Sequence, residues 1–225
     1  MIPRFRFLWA TLAALSLGGS PGVAQTGDGA VADRVEEDWE VVIGDPDPDS
    51  TGPQITTCMN PDSGSSGFVA FCLNYRDVSG WQPGGLQVKA YGEASGASQD
   101  RPLLVSATSD TESLETDDET ITWTQRISVS GGALSYSILN GISTTWGSFG
   151  QGVGTLGIAY GASLSDLGSY NPADSVKLSA AGWQANRVTS MTLLRVRYYK
   201  GGVLIKTEDA PRAVSLSTST SATAP

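Results

Sequence analysis

From Ile121 to Ile138 apolar and polar residues take turns along the chain. Ile121, Trp123, Ile127 and Val129 alternate with Thr122, Thr124, Arg126 and Ser128, and after Gly131-Gly132 the alternation resumes with Leu134, Tyr136 and Ile138 against Ser135 and Ser137. A period of two is that of a strand buried on one face, and a two-glycine link between such runs closes a hairpin. That turn pairs Val129 with Leu134, Ile127 with Tyr136 and Gln125 with Ile138, which puts the apolar residues of both strands, Trp123 among them, on one inward face. Ile127→Asp is then expected to cost several kcal/mol, and Thr124→Asp on the opposite face under about 1 kcal/mol.

The same pattern predicts further strands. Residues 39–43 form a short one. A hairpin closing over Pro61 to Gly67, centred near Ser65, sets Ile55 opposite Tyr75, Thr57 opposite Leu73 and Met59 opposite Phe71 on an apolar side; the other side sets Thr56 opposite Asn74 and Cys58 opposite Cys72. In that register the two cysteines meet in a cross-strand disulfide, closing a loop of about 15 residues and stabilising the fold by roughly 3 kcal/mol. Two reduced, buried cysteines are the alternative. A third hairpin runs from Val188 to Lys206 across Gly201-Gly202, with Leu194, Val196, Tyr198, Val203 and Ile205 inward and Arg195, Arg197 and Lys206 outward. Residues 86–91, 102–107 and 155–160 supply short strands, and residues 163–167 one helical turn capped by Ser163. Strands at short spacing joined by Gly-rich turns predict an all-β, single-domain antiparallel β-sandwich, jelly-roll or concanavalin-A-like, over residues 38–214.

The ends of the chain read differently. Arg4 and Arg6, an apolar run from Phe7 to Leu17 and the small residues Gly22-Val23-Ala24 form a secretory signal peptide over residues 1–24. Residues 25–37 read as a flexible acidic leader, and residues 215–225, rich in Ser, Thr and Ala, as a disordered tail. The expected location is therefore secreted or periplasmic, with no lipid-bearing cysteine at the cleavage site. No stretch approaches the roughly 20 apolar residues of a membrane helix, so membrane insertion is not expected.

Composition narrows the chemistry. The chain has 225 residues, 23 acidic and 14 basic, for a formal charge of −9 at pH 7, and removing Arg4 and Arg6 deepens that by two. Such a surface repels phosphates, so nucleic acid is not an expected partner. There is no histidine, which excludes Ser-His-Asp triads, Cys-His pairs and His-ligated metals. Nine of the acids lie between Asp28 and Asp49, whereas Arg187, Arg195, Arg197, Lys200, Lys206 and Arg212 cluster near the C-terminus. This asymmetry either draws the N-terminal segment onto the C-terminal strands or forms a docking surface.

Three constellations carry candidate chemistry. Asp45, Asp47 and Asp49 alternate like the opening ligands of a calcium loop, but Ser50 stands where the turn needs glycine and Thr56 where a bidentate glutamate belongs. Calcium at these three residues and a solvated acidic turn are the two readings. Trp81 and Trp146 sit among Gly, Ser and Pro, either as loop anchors or as platforms on which a sugar ring stacks. A glycosidase would need two carboxylates about 5–10 Å apart across a sugar, and no pair is singled out in the sequence. No catalytic residues are assigned, and no cofactor beyond calcium.

Residues 35–49 (VEEDWEVVIGDPDPD), 82–87 (QPGGLQ) and 186–188 (NRV) resemble a group of exported bacterial proteins of unknown function, over most of the chain. More loosely, the strand pattern is similar to concanavalin-A-like lectin and glucanase sandwiches. The expected function is non-catalytic binding of carbohydrate or another surface component. The alternatives are a structural or adhesive cell-envelope protein and, more remotely, a carboxylate glycosidase.

Overall fold

The computed structural model describes residues 31–44, 53–65, 67–74, 86–92, 105–108, 118–145, 147–150, 156–182 and 184–216. They form two antiparallel sheets around a single buried apolar cluster, the sandwich that the alternation predicts. The larger sheet is built on β1 (Arg34–Ile43), which lies between β6 (Thr120–Ser130) and β11 (Val188–Lys200). Beyond β6 follow β7 (Ala133–Ser143) and then β8 (Gly147–Phe149) and β9 (Gly157–Gly161), both paired with β7; beyond β11 lie β12 (Val203–Glu208) and β13 (Arg212–Ala213). The smaller sheet runs β10 (Ala180–Ala181), β2 (Ile55–Met59), β3 (Phe68–Leu73), β4 (Leu86–Tyr91), β5 (Val105–Thr108).

The hairpin β6–β7 has the predicted register, with Val129 opposite Leu134, Ile127 opposite Tyr136 and Gln125 opposite Ile138. Its inward residues are buried. Gly131 and Gly132 both take positive φ, which glycine adopts without penalty. Near the far end, Gly141 lets the Phe149 ring of β8 close in: a Cβ there would lie 2.4 Å from the ring. Trp39 and Trp123 stack across β1 and β6 at 6.5 Å, and Phe71 of the smaller sheet meets Trp123 edge-on at 5.4 Å. These rings join the two layers.

Several expectations are corrected. β1 begins at Arg34, so residues 34–37 belong to the sheet and not to a leader; Val35 and Glu37 face inward in the same parity as Trp39. In the β2–β3 hairpin Ile55 faces Leu73, Thr57 faces Phe71 and Met59 faces Val69, a slip of two residues from the predicted register. A two-residue slip preserves the faces but moves Cys58 opposite Ala70 and Cys72 opposite Thr56. Cysteines at such diagonal positions lie about 7–8 Å apart at Cα, beyond the usual span of a disulfide. Both are free and buried, and desolvation pushes both thiols up.

The third hairpin forms across Gly201-Gly202, but bulges reset its parity. The extra residue Leu194 makes Leu193 the buried one, with Val196 and Tyr198 inward as predicted. A second bulge at Ile205 brings Lys206 opposite Tyr198, where its ammonium stands 5.0 Å from the ring centroid; Ile205 still packs against the core, as predicted, whereas Val203 is 66% exposed. Residues 163–167 form no helix. The helix is α1 (Pro172–Leu178), where the Asn171 side chain accepts from Ala173 N–H and Pro172 supplies a preset first-turn φ.

Candidate functional site

The charge asymmetry resolves into contact between the two ends of the chain. On the outward face of the larger sheet, Glu36 of β1 accepts from Arg126 of β6 at 2.7 Å and from Arg197 of β11 at 3.2 Å. Asp38, two residues on, is held by Arg197 and by the Thr124 hydroxyl at 2.8 Å. Thr124 is therefore 5% exposed and not on a solvated face. Arg197 grips Asp38 through two nitrogens and reaches Glu36 as well, so this cluster reads as a clasp between strands.

Between the sheets lies a second polar group of residues, fully enclosed. Glu37 and Gln125 sit opposite one another on the inward faces of β1 and β6. Glu37 accepts from Trp39 Nε1 at 2.9 Å, from Gln125 Nε2 at 2.6 Å and from the Tyr170 hydroxyl. The Gln125 carbonyl in turn accepts from Thr57 of the smaller sheet and from Tyr136, both at 3.0 Å. Tyr170 also meets Ser175 of α1 at 3.1 Å. Desolvation raises the Glu37 carboxyl above the usual carboxylate range, and the donors around it offset part of that. No member is open to a ligand, since Glu37, Gln125, Thr57, Tyr136, Tyr170 and Ser175 are all buried. The network ties two sheets and a helix together.

A cavity of about 490 Å³ opens at one end of the sandwich, where the β2–β3 loop meets the end of β9, a volume within the range of small-molecule sites, roughly 300–1,000 Å³. Tyr91, Tyr160, Leu134 and Leu164 give it an apolar wall; Asp62, Ser65 and Ser163 supply polar groups. Each aromatic has a structural reason to be there. Tyr91 closes β4 opposite Phe68, whose ring stacks on it at 4.8 Å. Tyr160 pairs with Leu134 across β9 and β7, and desolvation raises its phenol.

The loop bearing Asp62 is braced from within. Asp62 N–H donates to Asn60 Oδ1 at 3.0 Å and Asn60 Nδ2 to the Ser65 carbonyl at 3.2 Å. Asp62 Oδ1 accepts from Gly64 N–H at 3.0 Å and from the Ser169 hydroxyl at 2.9 Å. The carboxylate is thus positioned before any ligand arrives.

Trp81, Trp146, Asp45, Asp47 and Asp49 lie outside the described residues. Among the described residues no group of three or more Cys, Asp or Glu could hold a metal ion, and no helix is long and apolar enough to cross a membrane. Tyr91 and Tyr160 stand near strand ends, away from the tryptophan-bearing loops that the sequence offers as aromatic platforms. Tyr91 is the last residue of β4 and is followed by Gly92, and Tyr160 is the last but one of β9 and is followed by Gly161. No protein-family model matches the chain, and no curated protein matches it.

Proposed function

We propose that the protein is an exported, non-catalytic β-sandwich that binds carbohydrate in the end cavity. One observation carries this reading: two tyrosines on rigid strand ends converge with a braced carboxylate and two serine hydroxyls in a cavity of about 490 Å³. Aromatic faces stack on the apolar faces of sugars, and a few fixed polar groups supply orientation. Among the described residues the neighbouring carboxylates Glu36 and Asp38 are engaged by arginines, which favours binding without hydrolysis. Titration of the purified protein against a glycan array tests the proposal. Binding that falls at least tenfold in Tyr160→Ala supports it; array-wide silence from a folded protein overturns it.

A structural or adhesive envelope role is the second reading. It is favoured by Val203 and Leu204, 66% and 50% exposed on the edge strand β12, since an open edge with apolar side chains can accept a strand from a protein partner. Co-purification with an envelope protein, lost when Leu204 is replaced by Lys, would favour that role.

A further inference from the structure

Resting on the carbohydrate reading of the end cavity, we propose that the saccharide selected there carries protonated amines, as an oligosaccharide of glucosamine does. Among the described lining residues Asp62 is the only acidic side chain, and none is Lys or Arg. Its Oδ1 is engaged by Gly64 and Ser169, whereas Oδ2 takes part in neither of these bonds. A carboxylate fixed in this way, beside a cavity wall, makes its strongest hydrogen bond to a cationic donor. The tyrosine rings add to the preference, because the negative face of an aromatic ring attracts an ammonium group.

The competing ligands fit less well. A uronic-acid saccharide would bring its carboxylate toward Asp62 with no described cation in the lining to receive it, against a chain whose formal charge is −9. A bare divalent cation requires several oxygen ligands, and one carboxylate does not supply them. A neutral sugar could stack on Tyr91 and Tyr160 but would use Asp62 only through a hydroxyl. A lysine side chain offers the charge without a ring face to lie on the tyrosines or hydroxyls to meet Ser65 and Ser163.

The test is calorimetric titration of the purified protein with an oligosaccharide of glucosamine, its fully N-acetylated counterpart, an oligosaccharide of galacturonate, and oligolysine. The glucosamine form is expected to bind roughly tenfold or more tightly than the N-acetylated form, as a charged hydrogen bond implies, and to weaken as salt is added. Asp62→Asn should abolish that preference without lowering the melting temperature, because the amide oxygen still accepts from Gly64 and Ser169. Equal binding of the glucosamine and N-acetylated forms, or tightest binding of galacturonate, overturns the charge preference and leaves the carbohydrate reading standing. Tightest binding of oligolysine, or no binding of any saccharide, overturns both.

Discussion

Glu37 is fully buried between the two sheets. It carries an ionisable group to the centre of a sandwich, and its donors Trp39, Gln125 and Tyr170 are neutral. Because its folded-state pKa is raised by desolvation, the folded protein holds the proton more tightly than the unfolded chain. That contribution to stability is complete below the unfolded value of about 4.3 and is lost as pH rises through the higher folded value, at about 1.4 kcal/mol for each unit between them. Glu37→Gln removes the titration and keeps the shape. Urea unfolding at a series of pH values should therefore show the Gln variant gaining on the parent as pH rises from 4 toward neutrality; a difference that does not change with pH would count against a raised carboxyl. The sequence did contain the sign. Val35, Glu37, Trp39 and Val41 share one parity, and a glutamate in an otherwise apolar inward set is a buried charge in need of partners.

At the scale of the elements, how far the sequence determines register depends on the turn. Gly131-Gly132 permits one two-residue turn, and the β6–β7 register follows from it residue by residue. The longer loop between β2 and β3 has no such constraint, so the alternation of Ile55, Thr57 and Met59 gives the faces correctly but leaves the pairing free to slip by two. Bulges are the other reason that parity fails. Leu194 and Ile205 are ordinary strand residues, and nothing local marks them as the extra ones. Alternation also hides outer-face burial. Thr124 reads as solvent-facing, yet the Glu36–Asp38–Arg197 clasp covers it. Ile127→Asp places an unpaired carboxylate in the apolar core and should cost several kcal/mol. Thr124→Asp, which sets a second carboxylate beside Asp38, is now expected to cost about 1–3 kcal/mol instead of under 1. Chemical denaturation of both variants measures the contrast, and a Thr124 variant as stable as the parent would mean that the clasp yields easily.

Considered as a whole molecule, the sandwich places the first described strand at the centre of its larger sheet, with the last long strand on one side and β6 on the other. Glu36 and Arg197, which meet across that junction, are separated by 161 residues. Sheets dominated by such distant pairings fold in milliseconds to seconds, because much chain must be ordered before the contacts that reward it exist. Refolding followed by tryptophan fluorescence should be correspondingly slow, with Trp39 and Trp123 reporting closure of the centre; a microsecond phase carrying the full signal would contradict this. The arrangement also has a consequence for the order of events during synthesis. Residues 34–43 are made before both of the strands they lie between, residues 120–130 and 188–200, so one edge of β1 stays unpaired until the second of these has been synthesised, and the centre of the larger sheet closes late.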